Sequence, residues 1–196
     1  MRLAALLGIL AGAAVMTGCG PVLSIHPLYT QADLVSDLPL EGTWAEQDDQ
    51  QLWRIQKSGD GYEALNEATA EKFSVHLLRL KGVSFLDITS RSDVLAIPGH
   101  LFARVWMEGG NLRIAMMKDD WLQQMAQDGL GPPSVIGPDK DVILTAPTRE
   151  LQDFLILHAD DANAFDEPGD LQRANSPETH VEVMENAAGL KSHPAS

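Results

Sequence analysis

The side chains able to do chemistry in this chain are few and scattered. Its only cysteine, Cys19, stands directly behind an unbroken apolar run, and a thiol near a chain end is an accessible nucleophile once ionised. The six histidines, at 26, 76, 100, 158, 180 and 193, include no pair at the spacing that puts two imidazoles on one helical face, so no zinc site is expected. His76 on a strand and His100 beside a turn read as partly buried hydrogen-bonding residues, and His158 as a helix-end cap. Acid pairs at Asp48-Asp49, Asp119-Asp120 and Asp160-Asp161 fall at turns or helix ends, where short carboxylates satisfy free backbone amides. The stretch DANAFDEPGD, residues 161–170, lacks the glycine at its sixth place and an oxygen ligand at its fifth that a calcium loop needs. Ser84, Ser90, Ser92 and Ser134 stand outside any Gly-x-Ser-x-Gly elbow, and no Gly-rich phosphate loop occurs. The expectation is a protein without catalytic residues, metal or cofactor.

The position of Cys19 is informative in a different way. Met1-Arg2 is a short positive start, Leu3 to Met16 carries no polar side chain, and Thr17-Gly18 is a small-residue exit. That is the pattern of a secretory signal peptide over residues 1–18. Its apolar stretch is shorter than the roughly 20 residues a membrane-spanning helix needs. The segment Met16-Thr17-Gly18-Cys19 resembles the lipobox of bacterial lipoproteins. The resemblance implies that the Cys19 thiol receives a diacylglyceryl group, that signal peptidase cuts before it, and that the new amine is acylated in turn, with palmitate a typical chain. Each buried acyl methylene contributes about 0.8 kcal/mol, so two or three chains make an almost permanent membrane anchor. By the same resemblance Gly20, where aspartate would mark inner-membrane retention, implies the periplasmic face of the outer membrane.

Composition limits the partners. The chain has 196 residues, 28 acids against 14 bases and a net charge of -14; removing residues 1–18 takes away one cation, Arg2, and no acid. Such acidity argues against nucleic acid, whose phosphates require a basic patch. It argues equally against docking on anionic headgroups through protein side chains. The length suits one modest domain with tails, and with its single thiol acylated the domain must hold without a disulfide.

The elements that would position a site follow from the apolar pattern. Residues 19–40, the acylated N-terminus and its Pro-containing continuation, read as a tether that ends by packing on the domain, with His26-Pro27-Leu28-Tyr29 as a clasp. From Gly42 to Met117 the pattern alternates with period two, as in QLWRIQK and EKFSVHLLRL, the signature of strands with one buried face. Ser58-Gly59-Asp60-Gly61, Lys81-Gly82 and Gly109-Gly110-Asn111 fit hairpin turns. Six or seven such strands predict an antiparallel meander that must close or be covered. Helical signals follow in KDDWLQQMAQDGLG and PTRELQDFLILHADD, with loop at 130–141 and a short strand DVILTAP between them. Met107, Met116, Met117 and Met125 read as core. The β-rich domain is thus assigned to 41–166 and a disordered polar tail to 167–196.

At the start of the first strand, Gly42-Thr43-Trp44 resembles the Gly-x-Trp signature of lipocalins. The resemblance implies a barrel whose floor the tryptophan closes, packed against an arginine from a late strand, with Arg104 and Arg113 as candidates. The lipobox, His26 to Tyr29, Gly42 to Trp44, Phe85 to Asp87 and His158 to Asp161 together resemble a group of uncharacterised bacterial lipoproteins. That group implies an architecture and no mechanism. The expected fold is therefore mainly β with α, an antiparallel meander or lipocalin-like partial barrel followed by two helices. The expected function is non-catalytic binding of a hydrophobic small molecule or lipid among Trp53, Phe73, Phe85 and Trp106. The alternative is a filled core whose surface meets another envelope protein. A cavity above about 300 Å³ marks the carrier; a solid core with an exposed apolar patch marks the interaction protein.

Overall fold

Period-two alternation from Gly42 onward folds into seven consecutive antiparallel strands. The computed structural model describes residues 22–46, 51–90, 99–137 and 142–174; Cys19 and the segment before it lie outside them. A short strand β1 (Leu23–Ser24) precedes the run. The run itself is β2 (Gly42–Glu46), β3 (Leu52–Ser58), β4 (Gly61–Asn66), β5 (Lys72–Leu80), β6 (Val83–Ser90), β7 (His100–Glu108) and β8 (Asn111–Met116). Helix α1 (Asp119–Gln127), β9 (Ser134–Ile136), β10 (Val142–Leu144) and helix α2 (Thr148–Leu157) come next, and β11 (Gly169–Arg173) is the last element described. The two-residue connections Lys81-Gly82 and Gly109-Gly110 hold positive φ at both positions, the type I′ geometry whose twist matches that of the strands it joins.

The sheet closes. Each strand from β2 to β8 pairs with the next, and β11 inserts between β8 and β2, antiparallel to both. Eight antiparallel strands form a barrel-like sheet, consistent with a lipocalin-like β domain carrying two helices. Closure removes the exposed edges that an open meander would present. Two assignments from the sequence are corrected. The tail expected from residue 167 supplies the eighth barrel strand at Gly169–Arg173, and the loop expected at 130–141 contains β9. Neither carried a strong signal: GDLQR offers one apolar residue, Leu171, and SVI is too short to show a period.

Two cores share the barrel wall. Inside lie Trp44, Trp53, Ile55, Phe73, Val75, Leu77, Leu86, Ile88, Val105, Leu112, Ile114 and Leu171. Outside, Leu78, Phe85, Phe102 and Ala115 turn away from the barrel and pack against Leu122 of α1, Leu151 and Leu155 of α2, and Val142 and Leu144 of β10. Burying each such side chain contributes roughly 1.5–3 kcal/mol. Strand β6 shows the consequence of a wall with two dry faces: Ser84 through Ile88 are all buried.

Residues 22–40 are the strap between the two cores. Ser24 pairs with His100 of β7, and Leu23 runs parallel to β10. The chain then crosses the outer wall, with Leu28 fully buried. Val35 N–H donates to Leu77 O at 3.0 Å, and Leu34 bridges Leu78. This bridge falls where β5 has run past the start of β4 and needs another partner. The strap ends with Leu40 plugged into the barrel core.

Candidate functional site

The barrel floor is built by the Gly-x-Trp segment. Trp44 is fully buried, and its indole Nε1 donates to Leu40 O at 2.7 Å. The guanidinium of Arg173 lies 4.6 Å from the Trp44 ring centre. Arg173 also donates from Nη1 to Glu41 O at 3.0 Å and from Nη2 to Pro39 O at 2.9 Å. One cation thus stacks on the floor indole and ties down the strap that covers it. Gly42 makes room for this: its φ is +136°, and a Cβ there would meet Arg173 Nη1 at 2.6 Å.

The expected arginine partners of Trp44 are therefore corrected. Arg104 donates from Nη1 to Ala159 O and lies 5.7 Å from the rings of both Trp106 and Phe165. Arg113 faces Glu108 and Asp170, each at 3.2 Å. Both point outward from β7 and β8, because the inward positions there are taken by Ala103, Val105, Leu112 and Ile114. The true partner sits on β11, in the stretch that composition assigns to a tail. The Gly-x-Trp resemblance implied an arginine from a late strand, and that is where Arg173 stands.

The four expected pocket aromatics divide between the two cores. Trp53 and Phe73 face the barrel interior with ring centres 5.9 Å apart. Phe85 and Trp106 belong to the outer core beneath the helices. The four do not line one pocket. Period two leaves the facing of β6 and β7 ambiguous when both sides are apolar.

Among the described residues the interior is well packed around an apolar space. Its residual cavity is about 40 Å³, lined by Leu40, Trp53, Phe73, Leu86, Ile114, Leu171 and their aliphatic neighbours. That is space on the order of one or two water molecules, far below the roughly 300 Å³ at which ligand pockets begin. Trp53 Nε1 is buried without a hydrogen-bond partner, and two buried polar side chains, Glu46 and Asn66, share the inward rows with Leu171 and Trp53.

Polar chemistry concentrates instead where the strap crosses β6. Asp87 is fully buried. Its Oδ2 accepts the Leu28 N–H at 2.7 Å, and its Oδ1 lies 2.7 Å from His100 Nδ1. Tyr29 stacks on His76 at 4.3 Å between ring centres, with its hydroxyl 3.2 Å from Nε2. Burial first, and then the nearby Asp87 and Asp60 carboxylates, push the Tyr29 hydroxyl pKa up. Thr148 Oγ1 donates to Pro27 O and Gln152 Nε2 to Leu28 O, each at 2.8 Å. These contacts fasten the strap to β5 and β6 on one side and to α2 on the other, and the Asp87–His100 contact ties β6 to β7.

A second polar group lies at the start of α1. The Asp119 carboxylate accepts the Val22 N–H at 3.0 Å. Burial, followed by the charges of Asp166 and Asp120, raises its pKa despite that hydrogen bond. Among the described residues no group of three or more His, Cys, Asp or Glu is placed to hold a metal ion, and no helix is long and apolar enough to cross a membrane. No protein-family model, curated protein or solved structure matches this chain.

Proposed function

We propose that this chain is a membrane-anchored lipoprotein of the bacterial cell envelope whose lipocalin-like barrel acts through its surface and not by catalysis. The lipobox resemblance at Met16 to Cys19 supports the anchor and the outer-membrane, periplasm-facing location. The observation that carries the choice of surface over interior is the 40 Å³ residual cavity. Such packing among the described residues supports a scaffold role, with another envelope component as the partner.

The carrier reading keeps one specific observation. Trp53, whose Nε1 is buried without a partner, also lines the apolar interior space, and a ligand with a single acceptor would reach that atom only with repacking of the indole and its aliphatic neighbours.

Intact mass after expression in a lipoprotein-processing host tests the anchor. Wild type should lose residues 1–18 and gain an acyl increment, and Cys19→Ala should show neither. An unacylated mature wild-type chain would overturn the lipoprotein reading and leave Cys19 as a free thiol.

A further inference from the structure

Beside the point where the N-terminal chain enters the fold lies a three-stranded ribbon with one wet, apolar face. Strand β1 runs parallel to β10, and β10 is antiparallel to β9, with Leu23, Ile143 and Val135 in one register row. The opposite face carries Ser24, Val142 and Leu144, all buried against the outer core. On the outward face Val135 is 57% exposed and Ile143 39%. Ile25 continues the ladder by donating its N–H to Leu144 O at 3.1 Å and is also 39% exposed. Ile136, 46% exposed at the edge, is in register with Val142 and belongs to the other face. Three β-branched side chains gathered on one face of a small ribbon are more than the scattered apolar exposure expected of any surface.

The geometry points to a phospholipid bilayer surface as the occupant of this face. The inference rests on the proposed lipidation of Cys19 and adds an orientation to it. Val22 is buried, with its N–H held by Asp119, so the fold is already fixed three residues after Cys19. Three Cα–Cα steps of 3.8 Å reach about 11 Å at most. An acylated Cys19 therefore leaves no slack for the domain to stand away from the membrane, and the surface around β1 must meet the headgroups. That surface is the Ile25, Val135 and Ile143 face. The excess of acids over bases argues against attraction to anionic lipid as the reason, so the contact is an apolar one that a zwitterionic bilayer supports. Strand β1 adjoins the start of β7, whereas the Lys81-Gly82 turn lies at the floor end of the barrel, so docking turns the floor away from the membrane.

Because acylation would consume the only native thiol, an introduced cysteine can be labelled alone. Acylated Val135→Cys and Lys81→Cys proteins, each carrying an environment-sensitive nitrobenzoxadiazole label, are reconstituted on phosphatidylcholine vesicles with or without brominated acyl chains. The label at 135 should shift to the blue and lose intensity to bromine, the label at 81 should do neither, and added phosphatidylglycerol should not strengthen the contact. An Ile143→Asp change, at an exposed site that spares the core, should return the label at 135 to water. If both labels remain water-like while the protein floats with the vesicles, the face does not dock and the anchor stands. If the protein carries no acyl mass and does not float, the anchor reading fails and this inference falls with it. Shielding of the label at 135 in vesicle-free detergent solution, together with a doubled mass, would assign the face to a second copy and overturn the bilayer as its occupant.

Discussion

The barrel interior and the outer layer share strands β5 to β8, yet they are assembled by different means. The interior is drawn mainly from the consecutive hairpins of β2 to β8, completed by Leu40 and by Leu171 of β11, is apolar around its cavity, and is sealed at the floor by Trp44 and Arg173. The outer layer joins segments far apart in the chain: the strap at 22–40, both helices and β10. It is pinned by hydrogen bonds such as Leu28 N–H to Asp87 across 59 residues. Apolar packing is nondirectional and tolerates many arrangements, whereas a buried carboxylate accepts only the partners that reach it. Shape-filling therefore dominates where chain connectivity already dictates the neighbours, with Asn66 beside the β4–β5 turn as a local exception, and long-range buried polar contacts appear where it does not.

Substitutions separate these two modes. Trp44→Ala should be the most damaging, losing about 3–5 kcal/mol as expected for an aromatic truncated in a packed core, read as a fall in the urea midpoint. Asp87→Ala leaves the Leu28 amide and His100 without their buried acceptor and should cost about 3 kcal/mol. Its signature should be regional: faster hydrogen exchange at Leu28 and along the strap, with amides of β3 and β4 little changed. Equal loss of protection across β3 and β4 would mean that the two layers are one cooperative unit.

Smaller effects probe the floor and the helix start. Arg173→Ala should cost about 1–2 kcal/mol through the lost stack and carbonyl contacts. Gly42→Ala should be less harmful in that background than in wild type, because the Cβ no longer meets Arg173 while the strain of a positive φ remains. At Asp119 the sign runs opposite to that of a salt-bridged acid. Its folded pKa lies above the ordinary 3.8, so the folded state binds the proton more tightly and stability from this group falls as pH rises from 3.8 through the folded value. Asp119→Asn should therefore raise Tm at pH 7 and have less effect near pH 4.

Much of this was legible in the residues. The β2 to β8 meander followed from alternation and from glycine-bearing turns, since a two-residue hairpin limits which residues can occupy it. Trp44 was legible as the floor. Its partner was not, because Arg173 sits on a strand with a single inward apolar residue, and only barrel closure reveals that GDLQR is a strand. Phe85 and Trp106 were placed on the wrong side of the wall, since alternation gives relative and not absolute facing. Asp87 stood out in the sequence as part of Phe85 to Asp87, but its partner Leu28 is a contact that no local period encodes.

The filled interior is the claim on which the functional reading turns, and titration of the acylated, detergent-solubilised protein with cis-parinaric acid tests it most directly. Quenching of tryptophan emission, compared between wild type and Phe73→Ala, reports entry beside Trp53. A filled barrel gives no saturable quenching in wild type, with uptake appearing only when Phe73→Ala opens space. Saturable one-to-one uptake by wild type would contradict it and make the barrel a carrier.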